Sequence, residues 1–208
     1  MIKILSISAS PVEGASTDII LRAAAAALTD NLQPELKVEN YFIKLNELNY
    51  IPCQACGRAP TPAYCFFEDD LDDVYRLLVE CDCILFGSPV YFDTVSAQAK
   101  MLIDRCNCFR PADFEHIDPD HAFIKLMKRK RPGAMVLVGG KQGWFEGARR
   151  TIAGFFKWLD ITNQGHLIYH SEDYNKKGTA ADEPEILSEA RKLGEKLAGL
   201  ILRKDERS

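Results

Sequence analysis

Apolar and polar positions along this chain follow two periods in turn. Ile2 to Ile7, Leu36 to Ile43, Ile84 to Phe86 after Cys83, Ala134 to Val138 and Gly165 to Tyr169 are short alternating or continuous apolar runs, which predict strands. Between them, apolar residues recur every three or four positions and predict helices. The stripes are Ile20, Ala23, Ala24, Ala27 and Leu28; Leu71, Val74, Leu78 and Cys81; Val95, Ala99, Leu102 and Cys106. Two more run through Ala148, Ile152, Phe155, Phe156 and Leu159, and through Ile186, Ala190, Leu193, Leu197, Leu200 and Ile201. Ser16 or Thr17 is placed to cap the first helix and Thr94 the third, and Glu68-Asp69-Asp70 fall in the first turn of the second. Strand followed by helix, five times over, predicts an α/β fold with a five-stranded parallel sheet covered on both faces. In the doubly wound order 2-1-3-4-5, strands one, three and four are neighbours, and their exits meet where the winding reverses.

Those three exits are where chemistry is expected. Ser8 to Thr17 is a small, hydroxyl-rich loop running into a helix N-terminus, where free N–H groups and the helix dipole favour an anion such as phosphate. Glu13 is the dissenting charge, and no Lys or Arg lies between Ser8 and Thr17. Several charge-assisted hydrogen bonds at about 1.5–3 kcal/mol each outweigh one exposed like charge at about 1 kcal/mol, provided Glu13 faces solvent. Gly87-Ser88-Pro89 is expected to break the third strand's ladder and leave the backbone beyond Ser88 unpaired beside Tyr91 and Phe92. Spare backbone groups beside aromatic rings suit a flat heterocycle such as a flavin. Gly139-Gly140-Lys141-Gln142-Gly143-Trp144 is a third exit, where backbone can approach a ligand closely. Taken singly, each stretch also suits a turn, a cap or a packed aromatic pair. Their convergence is what points to one ligand.

Composition narrows the classes. With 208 residues, 47% of them hydrophobic and 27% charged, residues 1–208 are expected to form one domain. A net charge of −4 gives no footprint for nucleic acid. No apolar run approaches the roughly 18–20 residues that span a bilayer, and the sequence enters a strand directly after Met1, so a cytoplasmic protein without membrane contact is expected. Seven cysteines argue against a disulfide framework. Cys53, Cys56 and Cys65 leave reduced thiols, a redox pair or metal ligation open, while Cys81, Cys83, Cys106 and Cys108 read as small hydrophobes. Residues 109–132 read as an irregular connection, and Lys128 to Arg131 as a solvated basic patch at the entry end of the next strand. Tyr64, Phe66, Phe67, Trp144 and Phe145 are candidates for an acceptor pocket or for plain packing.

The strings Ser8-Ala9-Ser10-Pro11 with Ser16-Thr17, Gly87-Ser88-Pro89-Val90-Tyr91-Phe92, and Ser96 to Lys100 through Ile103-Asp104-Arg105 carry a resemblance. Over roughly residues 1–170 the chain resembles the flavodoxin-like NADPH-dependent FMN reductases, particularly the branch that includes iron–sulfur flavoproteins. The resemblance implies a three-layer flavodoxin-like sandwich. It also implies an FMN whose phosphate is held at Ser10, Ser16 and Thr17, with Ser8 beside them in the cofactor site, and whose ring lies between Pro89, Val90, Tyr91 and Phe92 on one side and Gly139, Gly140 and Gly143 on the other. The implied activity is electron transfer from NAD(P)H to a quinone, flavin or similar small acceptor. No side chain is needed as acid or nucleophile, because the cofactor carries the chemistry. Asp104 and Arg105 match a family motif near the subunit contact and imply a homodimer or homotetramer. Two departures stand out: Val12 where the family often has arginine, and Ala59 where the iron–sulfur branch would have a further cysteine. No metal site is therefore expected. The alternatives are a flavin-containing electron carrier without nicotinamide turnover, and a flavin-free binding module.

Overall fold

The computed structural model describes residues 1–32, 36–58, 64–115, 124–173 and 176–205. Strands β1 (Ile2–Ser8), β2 (Val38–Lys44), β3 (Cys83–Tyr91), β4 (Thr94–Val95), β5 (Phe109–Arg110), β6 (Lys125–Leu126), β7 (Arg131–Gly140) and β8 (Ile161–Ser171) are accompanied by helices α1 (Ser16–Asp30), α2 (Leu71–Glu80), α3 (Ala97–Arg105), α4 (Glu146–Trp158) and α5 (Pro184–Asp205). The main sheet runs β2-β1-β3-β7-β8, all parallel, with β4 paired antiparallel to β3 off this path. This is the expected 2-1-3-4-5 order of a flavodoxin-like sheet.

Each strand sends alternate residues to two separate cores. Leu5, Ile7, Ile84, Phe86, Met135 and Leu137 pack with α2, α3 and α4 on one face. Ile4, Cys83, Leu85, Ala134 and Val136 pack with α1 and α5 on the other. A strand buried on both faces has no polar side to show, which is why these segments read as continuous apolar runs.

Several local expectations are corrected. Gly87-Ser88-Pro89 does not end the third strand: Gly87, Ser88 and Pro89 pair with Val136, Leu137 and Val138 of β7. β1 has already stopped at the Ser8–Gly87 pair, and proline is tolerated in a strand flanked on one side. The backbone beyond Ser88 is not spare either, because Val90 and Tyr91 pair with Val95 and Thr94. Thr94 is therefore a strand residue, and Ser96 caps α3 by accepting the Ala99 N–H at 3.2 Å. Neither Ser16 nor Thr17 caps α1, whose N-cap is Ala15 without a side-chain bond. The acidic first turn of α2 is Asp72 and Asp73, and Asp69 turns to Arg105 instead.

Residues 109–132 are not wholly irregular, since β5 and β6 pair within them, and the basic run that closes them is not wholly solvated. Arg131 is 1% exposed and donates to the carbonyls of Leu78 and Leu159, so one guanidinium caps the C-terminal ends of α2 and α4. Burial lowers its pKa from the ordinary arginine value. Arg129 pairs with Asp82 at 2.6 Å. The last strand is longer than Gly165 to Tyr169, with a register shift opposite Gly133–Met135 at which Gln164 and Gly165 stand between the Asn163 and His166 pairings.

Candidate active site at the sheet's C-terminal edge

The sheet register sets the tips of β1, β3 and β7 side by side: Ser8 lies against Gly87, Gly87 against Val136, and Pro89 against Val138. The head of α1 presses directly on this edge. A Cβ on Gly87 would lie 2.7 Å from both Leu21 Cδ1 and Thr17 Cγ2, so the glycine serves close helix packing.

A buried ion pair shapes the loop between β1 and α1. Asp18 accepts the Ser8 hydroxyl at 2.5 Å, the Gly14 N–H at 3.1 Å and Lys44 Nζ at 2.7 Å, and Lys44 also donates to the Val12 carbonyl at 2.8 Å. Lys44 closes β2 and is the Cα partner of Ser8, which is how a lysine far away in sequence reaches a loop that carries no base of its own. Glu13 points to solvent. Beyond the ion pair, a cavity of about 380 Å³ is bounded by Ile19, Arg22, Phe42 and Glu47, with the Arg22 guanidinium 3.7 Å from the Phe42 ring centre.

The cofactor residues expected in this loop separate into two groups. Ser8 is fully buried and its hydroxyl is engaged with Asp18. Ser16 Oγ accepts the Ala180 N–H at 3.1 Å and lies 3.3 Å from Thr179 Oγ1, so it ties α1 to the turn at Thr179–Asp182. Ser10 folds its hydroxyl onto Val12, accepting the Val12 N–H at 3.2 Å. Within the described structure, the Thr17 hydroxyl and the N–H groups of Ser16 and Thr17 meet no acceptor of the chain. These orphan donors stand at the positive end of a 15-residue helix.

Ser96 joins the remaining tips. Its hydroxyl donates to the Ala9 carbonyl at 2.8 Å, and its N–H donates to Ser88 Oγ at 3.0 Å. Sequence reasoning missed Asp18, Lys44 and Ser96, whose partners become visible only through the strand register. After Pro89 and Val90, Tyr91 is half exposed and Phe92 wholly so. Gly139 and Gly140 are strand residues opposite His170 and Ser171, and Gly143 closes a turn onto the Gly140 carbonyl at 2.9 Å. A Cβ on Gly139 would lie 2.8 Å from the Phe145 ring, which in turn meets His170 edge-on at 4.9 Å. Phe145 therefore packs, while Trp144 projects into solvent. Tyr64 also packs, with Tyr75 and Phe109, and Phe66 lies under Arg58.

The family is decided by comparison with known proteins. A family model described as NADPH-dependent FMN reductase matches residues 2–175. The chain belongs to that family. Among curated relatives of this FMN reductase family member, an iron–sulfur flavoprotein of Methanocaldococcus jannaschii is 30% identical over 205 residues, covering 96% of this chain and 97% of the relative. An iron–sulfur flavoprotein of Methanosarcina thermophila is 29% identical over 159 residues, 76% of this chain and 73% of the relative. Two solved structures share the fold: a flavone reductase with a TM-score of 0.66 at 16% identity, and an apo NADH:FMN oxidoreductase with 0.62 at 13%. The match covers 98% of this chain but 64% of the flavone reductase, and 95% of this chain against 89% of the oxidoreductase.

The residues of this family member fit FMN and do not fit a four-iron cluster. For the flavin, the orphan donors at the head of α1 suit a phosphate, and the tips of β3 and β7 border them. For the cluster, four thiolates are needed as a rule. Cys53 and Cys56 are exposed and Cys65 is half-buried, but Ala59, outside the described residues, stands where a further ligand would be expected. Cys106 and Cys108 are buried in the core, where burial pushes the Cys108 thiol up to about 12 and Cys106 well above its ordinary value. Among the described residues, no three His, Cys, Asp or Glu side chains converge to hold a metal ion.

Thiol reactivity should follow this division. At pH 8, Cys53 and Cys56 are expected to react with a thiol reagent in the native protein and Cys65 more slowly. Cys81, Cys83, Cys106 and Cys108 should be modified only after unfolding, since burial raises all four, Cys81 to about 11. Mass spectrometry of the labelled protein locates each adduct, and a native-state adduct on any of the last four would contradict the packing.

Proposed function

We propose that this chain is an FMN-dependent oxidoreductase that takes a hydride from NADH or NADPH and passes electrons to a quinone, a flavin or a similar small acceptor. Family membership supports the flavin and the redox chemistry. The observation that carries the reading is the run of unpaired donors at the head of α1, beside the adjoining tips of β1, β3 and β7. FMN supplies the hydride-accepting and electron-donating chemistry when bound. The Ser16 and Thr17 N–H groups and the Thr17 hydroxyl hold the phosphate, with the dipole of α1 behind them. Lys44 offsets the charge of Asp18 beneath that loop. The backbone of Pro89 to Tyr91 and the Gly139–Gly143 tip would border the ring, while Ser96 ties the ends of β1 and β3 to the start of α3.

The test is reconstitution of the full chain with FMN, followed by a visible spectrum and turnover with NADH or NADPH and an artificial acceptor. One FMN per chain and sustained nicotinamide oxidation are expected. A colourless protein that cannot be loaded overturns the proposal. A second reading, an electron carrier without nicotinamide turnover, draws on the near full-length likeness to an iron–sulfur flavoprotein. FMN binding without oxidation of either nicotinamide would favour it.

A further inference from the structure

Tyr91 and Thr94 close a two-residue hairpin whose loop residues, Phe92 and Asp93, both have left-handed backbones, with φ of 52° and 61°. Loops of this kind favour Asn-Gly, and a bulky aromatic residue in that region is a genuine outlier. Phe92 is also fully exposed, at 102% of its reference area. The chain thus holds a large apolar ring in a strained position where, among the described residues, it packs against nothing. Strain of this sort persists where surrounding structure enforces it, and it clusters at ligand sites.

The enforcing contact is visible. Asp93 Oδ1 accepts the Gly147 N–H at 3.1 Å in the first turn of α4, and a Cβ on Gly147 would fall 2.2 Å from the Asp93 carbonyl oxygen. Val95, two residues beyond, is buried and anchors the returning strand. The hairpin is therefore pressed flush onto α4, a fit that a side chain at position 147 would not allow.

We propose that Phe92 is a stacking ledge for the flat ring of the reactant that meets the flavin, either the nicotinamide of the donor or a quinoid acceptor, and that Asp93 and Gly147 are positioning residues for it. The inference rests on the flavin reading above. It assigns Phe92 to the second reactant because the ring stands beyond the strand tips, fully in solvent, where contact forms and breaks with each turnover. This moves Phe92 out of the set that the resemblance places beside the flavin ring and leaves Pro89 to Tyr91 to border it.

The experiment uses FMN-loaded full-length protein and measures the FMN dissociation constant, the melting temperature, and KM and kcat separately for NADPH and for a quinone. Phe92→Ala is expected to raise KM for one of the two roughly 3- to 10-fold, the range of an aromatic stacking contact, with FMN affinity within about twofold of wild type. Which KM rises tells donor from acceptor. Phe92→Tyr should restore it, a rescue that a purely structural role would not require of an exposed ring. Gly147→Ala should reproduce the KM rise with Phe92 intact. The double replacement Phe92→Asn with Asp93→Gly should melt a few degrees higher and keep the raised KM. Unchanged KM values in Phe92→Ala, or FMN affinity falling in step with KM, would overturn the proposal. If wild type takes up no FMN, the flavin reading falls and this one with it; if wild type turns over and Phe92→Ala matches it, this one falls alone.

Discussion

Lys44→Met should destabilise the protein by about 3–5 kcal/mol, the usual cost of removing one partner from a buried ion pair. Both side chains are nearly inaccessible, at 8% for Lys44 and 7% for Asp18, so solvent cannot replace the ammonium. The methionine fills a similar volume but leaves the Asp18 carboxylate with only the Ser8 hydroxyl and the Gly14 N–H. For a chain of this length the loss corresponds to roughly a 10 °C fall in melting temperature. Adding Asp18→Asn to Lys44→Met should recover much of it, because a neutral amide keeps an acceptor for Gly14 without burying charge. Urea denaturation of the two single variants and the double variant measures the coupling directly. Additive losses would mean that the two side chains do not act as a pair. FMN affinity should fall further in Lys44→Met than in the double variant, since only the single variant leaves an uncompensated negative charge beneath the proposed phosphate site.

That pair also shows what the sequence could and could not reveal. Strand and helix periods depend on neighbours a few residues apart, so the order of the sheet and the meeting of β1, β3 and β7 were legible from apolar runs such as Cys83 to Phe86. Asp18 and Lys44 are 26 residues apart, and only the parallel register that sets Ser8 against Lys44 brings them together. The end of β3 was misjudged for a related reason. Glycine and proline break a strand paired on both sides, but β1 stops at Ser8, and Pro89 lies beyond it. Arg131 looked like the end of a solvated run because nothing local shows that the carbonyls of two helix ends point at it. Nothing near Gly147 in the sequence marks it either, since it is the Asp93 backbone, 54 residues away, that occupies the space its side chain would fill. Ser8 ends β1 and Ser16 begins α1, and their hydroxyls are engaged with Asp18 and with the Ala180 N–H, partners that no local pattern announces.

Arg105→Met should be as damaging, and its effect should spread along one segment of the chain. The resemblance drew attention to Asp104 and Arg105 as neighbours of a subunit contact, but Arg105 turns inward and is almost wholly buried, while Asp104 pairs at the surface with Lys100. Its guanidinium donates to the Ile51 carbonyl at 2.8 Å and to both oxygens of Asp69, at 2.7 and 3.2 Å. It reaches the Phe67 carbonyl at 3.4 Å as well. One side chain on α3 thus fastens both arms of the segment between β2 and α2, which carries Cys53, Cys56 and Cys65. Asp69 Oδ1 also accepts the Leu71 N–H at the start of α2, so losing the clamp loosens that helix end. Removal of a buried, hydrogen-bonded charge that leaves its carboxylate behind costs about 3–5 kcal/mol. Other ties of the segment among the described residues include the Asn49–Asp70 contact at its base, the Tyr50 hydroxyl on the Gln98 carbonyl at 3.0 Å and the packing of Tyr64 on Tyr75 and Phe109. The expected result is therefore local opening ahead of global unfolding. Limited proteolysis of Arg105→Met should cut between residues 50 and 70 under conditions where wild type is intact, and Cys65 should label as fast as Cys53. Wild-type resistance in that stretch, combined with a lower melting temperature, would place the clamp's contribution in the core around Tyr75 rather than in the segment it grips. FMN binding should survive the change, because the head of α1 and the tips of β1, β3 and β7 make no contact with this guanidinium.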